Sequence, residues 1–177
     1  MAHTPHADSK PVSVSCAIIT ASDSRWQRIA RAEPFEEDKS GNLMRSQLEA
    51  AGHTVADYRI LPDEPAAVRK TLEQLAALGT VQAVLLTGGT GIAPRDTTYD
   101  AIVGLLEKEL QGFGEIFRAL SYPKIGSRAI ASRATAGVYR QMLVFSLPGS
   151  VHAVELGMKE LILPELAHLT RLLHPSL

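Results

Sequence analysis

Apolar positions along the chain fall into short blocks that switch between two periods. Residues 12–20, VSVSCAIIT, are rich in β-branched side chains and short enough for a strand buried on both faces. After a charged stretch the period becomes helical: Leu43, Met44, Leu48 and Ala51 share one face, with Ser40 placed as a cap and Gly52 as a stop. Residues 54–61, TVADYRIL, alternate as a strand does. The next block opens with acids and Pro65, sets Val68, Leu72, Leu75 and Ala76 on one helical face, and ends at Gly79. Residues 81–87, VQAVLLT, predict a third strand, and a glycine-rich loop leads from it to a helix facing inward with Ile102, Leu105 and Leu106.

Strand and helix thus alternate, which predicts a parallel sheet between helices with right-handed crossovers. The last third is less regular. GFGEIFRALSY and IGSRAIASRA predict two short helices, AGVYRQMLVFSLPG a hairpin turning near Arg140 and Gln141, and the final segment a helix, a break at Pro164 and a second helix. The expected fold is a three-layer α/β/α arrangement with a mostly parallel sheet and one antiparallel strand from the C-terminal hairpin. Residues 1–11 are expected to be a flexible tail and 12–177 a single domain.

Charge removes two classes of partner. With 18 basic and 19 acidic residues, net charge −1, the chain offers no general attraction to nucleic acid or an anionic membrane. No run reaches the roughly 18 apolar residues of a membrane span. The single cysteine, Cys16, lies inside an apolar run; it fits a buried thiol in a reducing compartment, and a cytoplasmic protein is expected. The scattered histidines have no spacing typical of a zinc site.

The chemistry should sit beyond the carboxyl ends of the strands, where parallel sheets open a crevice. Polar segments cluster there: Ser22, Asp23 and Arg25 after the first strand, Asp63 after the second, Thr87, Gly88, Gly89, Thr90, Gly91, Arg95 and Asp96 after the third, and Ser146, Pro148 and Gly149 after the hairpin. Glycines let backbone approach a ligand, and successive N–H groups beside a helix start favour an anion such as phosphate. The spacing matches neither the dinucleotide fingerprint nor the P-loop. Asp96 suits Mg2+ or a phosphate-orienting role. Capping of the following helix by Asp96 or Thr97 explains that segment equally well, and Asp63 is open to the same reading.

The ordered pieces ITASDSR, DKSGNLMRSQLEAAG, ILPDE, TGGTGIAPRDTTYDAI, GFGEIFR, AIASRATAG and SLPGS resemble the molybdopterin adenylyltransferase family, the MogA and MoaB proteins of molybdenum cofactor synthesis, and are closer to the MoaB branch. The resemblance covers residues 13–173. It implies that the terminal phosphate of molybdopterin, a pterin bearing a dithiolene, attacks the α-phosphorus of ATP with Mg2+ present. It also implies a homotrimer or homohexamer, with a later molybdate-insertion enzyme as onward partner. The family's functional aspartates fall on Asp63 and Asp96, with Asp96 toward Mg2+ or phosphate and Asp63 toward the reacting phosphates or the pterin. The loop from Thr87 to Gly91 is expected to hold pterin or phosphate and the SLPGS loop to help hold nucleotide; apart from the resemblance, the charges of Lys39 and Arg95 are expected to neighbour phosphate.

Two segments depart from the family pattern. Tyr99 stands where the family has a helix-starting proline, and SVHA follows LPG where a second proline is usual. These departures keep a non-catalytic molybdopterin-binding or handover protein as the alternative, and Mg2+-dependent ATP binding separates it from the enzyme. A nucleotide pyrophosphatase is the third reading.

Overall fold

The computed structural model describes residues 12–176; the expected tail at 1–11 lies outside them. Its strands are β1 (Ser15–Ala21), β2 (Thr54–Leu61), β3 (Ala83–Thr87), β4 (Lys108–Glu109), β5 (Thr135–Tyr139) and β6 (Met142–Leu147). They form one sheet in the order β2, β1, β3, β6, β5, β4. β2, β1, β3 and β6 run parallel, whereas β5 is antiparallel to both its neighbours. The reversed strand is therefore the one from the hairpin, as the sequence predicts. Its turn falls on Arg140 and Gln141, both with positive φ (43° and 65°), which matches the right-handed twist of the flanking strands.

Among the described residues seven α-helices flank the sheet: α1 (Asp23–Ala30), α2 (Lys39–Ala50), α3 (Pro65–Leu78), α4 (Thr98–Val103), α5 (Gln111–Ile125), α6 (Val151–Gly157) and α7 (Leu163–Leu173). Every residue of β3 and β6 is buried, because helices lie on both sides. Alternate residues divide between two cores. Ile18, Leu85 and Phe145 pack with Met44 and Leu48 of α2, Phe117 of α5 and Leu166 of α7. Ile19, Leu86 and Val144 pack with Val68, Leu72 and Leu75 of α3 and Ile102 of α4. Cys16 is fully buried among the first set, and burial pushes its thiol up to about 12, so it is a packing residue rather than a nucleophile.

Several local expectations are corrected. The charged stretch after β1 contains α1, begun by Ser22, whose side chain accepts from the Arg25 amide; α1 buries no residue and lies on the surface. Asp38, not Ser40, caps α2, accepting from the Gly41 amide at 3.1 Å. The Tyr58 hydroxyl holds the other oxygen of that carboxylate at 2.6 Å, an anchor in a neighbouring strand that local spacing could not reveal. GFGEIFRALSY and the residues after it form one helix through Pro123, followed by a 3-10 turn at Gly126–Ala131. There is no break at Pro164: a π-turn at Met158–Ile162 joins α6 to α7. Its wider spacing accommodates a residue that cannot donate an amide hydrogen. α4 is short, yet Leu105 and Leu106 beyond its end still pack inward.

The turn lacks the Asn-Gly pair that positive φ at both positions favours. Replacing Arg140-Gln141 with Asn-Gly is expected to stabilise the fold by about 1 kcal/mol and raise Tm by about 2–4 °C, measured by calorimetry. His53 bears on pH. Its Nδ1 accepts the Val14 amide at 3.2 Å, and burial lowers its pKa, so the folded state disfavours the protonated ring. The unfolded chain then binds more protons as pH falls through the ordinary histidine range near 6.5, and stability drops in that window. Urea unfolding at pH 7.5 and pH 5 should show a larger loss for the wild type than for His53→Gln.

Candidate functional site

The chain leaves β1 for β2 at one edge of the sheet and leaves β3 for β4 at the other, so the connections part between two neighbouring parallel strands. A crevice opens at their carboxyl ends, where such a topology places ligands. The cleft there measures about 190 Å³ and is lined by Ser22, Asp23, Asp63, Gly89, Arg95 and Asp96 together with Ala21 and Ser24. Three of the polar segments singled out in the sequence therefore meet in one place.

Asp63 does not cap its own helix, α3, whose Glu64 cap makes no side-chain bond. It caps α4 instead. Its Oδ1 accepts from the Thr97 amide (3.1 Å), the Thr98 amide (2.9 Å) and both threonine hydroxyls (3.2 and 2.8 Å). A carboxylate facing helix-start amides is well matched in charge. The Asp63 amide donates to Asp23 Oδ1 at 2.8 Å, so the loops after β1, β2 and β3 form one chain of hydrogen bonds. Gly89 has φ +62°, and a side chain there would collide with the Asp63 carboxylate and Thr98.

Thr97, not Asp96, holds the cap position of α4, without a side-chain cap bond of its own. Asp96 Oδ2 accepts the Ala93 amide at 3.0 Å while the Asp96 amide donates to the Ala93 carbonyl, closing the loop on itself. A methyl on Gly91 would run into that same carboxylate oxygen. Each of Asp23, Asp63 and Asp96 is thus tethered through one oxygen.

The loop after β6 does not line this cleft; it packs beside the glycine loop. Ser40 donates to the Gly149 carbonyl at 2.9 Å and Thr87 to the Pro148 carbonyl at 3.2 Å, while a side chain on Gly88, whose φ is +95°, would collide with the Ala21 carbonyl. Pro148 and Ser150 line instead a larger cavity of about 370 Å³ between α5 and α6. Thr87, Thr90 and Ser146, expected at the site, are buried and do not line the cleft. Arg25 does not line the cleft; it donates to the carbonyls of Glu36 and Glu37 and braces the loop before α2. Lys39 is exposed at the first turn of α2.

Arg133 was not singled out by sequence reasoning. It reaches the carbonyls of Thr90 and Gly91 from more than 40 residues away in the chain, where no spacing rule applies. The only local signal was its place in the segment AIASRATAG.

Fold and crevice define an open α/β protein with a carboxylate-lined cleft at the switch point of its sheet. Residues 17–168 match the probable molybdopterin binding domain, and the chain belongs to that family, in its MoaB branch. It is similar to molybdenum cofactor biosynthesis protein B of Bacillus subtilis, 52% identical over 94% of each chain. A crystal structure of a molybdenum cofactor biosynthesis protein B superposes with a TM-score of 0.85 at 44% identity, covering 95% of this chain and 100% of the other. The tungsten cofactor synthesizing protein MoaB from Pyrococcus furiosus superposes with a TM-score of 0.79 at 40% identity, covering 92% and 98%. A role in molybdenum cofactor biosynthesis follows from that membership. Among the described residues no helix is long and apolar enough to cross a membrane.

The bonding of Asp63 separates two substitutions. Asp63→Ala leaves the first donors of α4 without their acceptor and is expected to cost about 2–3 kcal/mol in urea unfolding, whereas Asp63→Asn keeps an acceptor oxygen and should cost about 1 kcal/mol or less.

Proposed function

We propose that this protein transfers the adenylyl group of ATP to the terminal phosphate of molybdopterin. The observation that carries the reading is that Asp63 and Asp96 line one small cleft with Asp23, Gly89 and Arg95, each carboxylate fixed by backbone donors. A terminal phosphate oxygen of molybdopterin bonds to the α-phosphorus of ATP, and the bond from that phosphorus to the bridging oxygen breaks. Pyrophosphate leaves with the electron pair. The attacking phosphate is already anionic, so the site needs alignment and charge stabilisation more than a base.

The donor set suits Mg2+, a hard cation that takes one or two carboxylates beside substrate phosphates. Among the described residues no three acidic, histidine or cysteine side chains cluster closely enough to hold a metal alone. Asp96, with Asp23 across the cleft, would hold the ion together with phosphate oxygens. When bound, Mg2+ neutralises charge on the phosphates and on the departing pyrophosphate. Asp63 keeps α4 and the glycine loop in register and turns its second oxygen toward the reacting phosphates or the pterin. Gly89 and its neighbours bring backbone amides to the phosphates, Arg95 offsets their charge, and the loop from Ser146 to Gly149 holds the nucleotide.

The reading includes a cytoplasmic homotrimer or homohexamer whose product passes to a molybdate-inserting enzyme. Exposed Trp26, Ile29 and Phe35 around α1 supply apolar surface of the kind that subunit contacts cover. The decisive experiment mixes purified protein with MgATP and freshly prepared molybdopterin, measures pyrophosphate, and identifies adenylylated pterin by mass. Turnover is expected and should fall about 100-fold or more in Asp96→Asn with the fold intact, the scale of losing one preorganised charge-stabilising group. Tight pterin binding by folded wild type without product would assign the protein to handover instead.

A further inference from the structure

Arg133 stands behind the glycine loop and bonds to both of its ends. Its Nε donates to the Thr90 carbonyl at 3.0 Å, and its Nη2 to the carbonyls of Gly91 and, at 3.4 Å, Asp96. Its Nη1 pairs with Asp100, in the first turn of α4, at 3.0 Å. The guanidinium lies over the ring of Tyr99, 4.5 Å from its centre. One planar cation thus ties together the start of the loop, its end and the helix that follows.

Trans peptide geometry gives this arrangement a direction. In a trans peptide the N–H points opposite to the preceding carbonyl, and the described chain has no cis bond. Holding the carbonyls of Thr90, Gly91 and Asp96 therefore turns the amides of Gly91, Ile92 and Thr97 away from the guanidinium. For Thr97 the far partner is visible: its amide donates to Asp63 Oδ1. The peptide between Asp96 and Thr97 is held by Arg133 on one side and by Asp63 on the other. A positive charge on the carbonyl side also polarises each peptide, making its N–H a stronger donor to an anion.

We propose that Arg133, backed by the Tyr99 ring, is the positioning residue of the glycine loop: it presents the Gly91 and Ile92 amides to the phosphate of molybdopterin. Tyr99, in the first turn of α4, stiffens that position by stacking under the guanidinium. The planar fork is required because a lysine carries the charge but cannot span separate carbonyls in fixed directions. The proposal rests on the reading of this cleft as the phosphate site, and its test reads binding and backbone motion rather than product.

Two quantities are measured on the full-length protein: hydrogen exchange at the Ala93, Asp96 and Thr97 amides without ligand, and molybdopterin affinity by equilibrium binding without ATP. Arg133→Lys and Tyr99→Ala should each speed exchange at those amides about tenfold and weaken molybdopterin about tenfold, with exchange in β3 and β6 unchanged. Tyr99→Phe keeps the ring and should match the wild type in both. Tyr99→Ala leaves the backbone bonds of Arg133 in place, so it keeps the test decisive if Arg133→Lys fails to fold. Unchanged exchange, or exchange that rises while affinity does not move, overturns the proposal. If both variants behave as expected but wild type makes no adenylylated product, the clamp stands and adenylyl transfer falls. If wild type turns over and the variants change neither quantity, the clamp falls and adenylyl transfer stands.

Discussion

The carboxylate of Asp63 is the interaction on which the site depends, because it joins three strand ends that the sheet merely brings near one another. Its Oδ1 gathers the first amides and hydroxyls of α4, and its own amide reaches back to Asp23. α4 has six residues, too few to persist on its own propensity. Its start, and the loop before it, are consequently set by a residue on the far side of β1. A charge-assisted bond of this kind contributes about 1.5–3 kcal/mol, and the buried donors would otherwise go unmatched.

That constraint has a chemical consequence. Asp23, Asp63 and Asp96 are each held through one oxygen, which fixes the direction of the other. Phosphoryl chemistry that relies on alignment of two polyanions gains most from groups that do not reorganise during reaction. The loop after β6 is fixed in the same way: Ser40 and Thr87 hold the carbonyls of Gly149 and Pro148. Capping and chemistry do not compete at Asp63, because the cap occupies Oδ1 and the proposed role uses the other oxygen.

Much of the framework was legible because it is local. β2 and α3 begin and end close to where alternation, Pro65 and Gly79 place them, and the Arg140-Gln141 turn sits where a change of period implies it. α1 escaped because its eight residues bury nothing and its apolar Trp26 and Ile29 stand inside a charged stretch. Ser40 was read as a cap because serine before an amphipathic run is a good local signal, but its hydroxyl is drawn to Gly149, 109 residues on, and Asp38 takes the capping role. Pro164 predicted a break from its missing amide, yet a π-turn upstream absorbs it without interrupting the packing of Ile162 and Leu166.

The sequence alone determined the alternation of strands and helices, the reversed hairpin strand and the grouping of polar residues at strand ends, since period and turn chemistry are written in neighbouring residues. It also carried the ordered motifs of the family. Only the tertiary structure decided which polar groups meet: that Asp63 caps α4 rather than α3, that Asp96 closes its own loop, and that Arg133 grips the glycine loop from behind. The reason is that a hydrogen bond is specified by direction and distance, and parallel crossovers bring together residues whose separation along the chain carries no information about either.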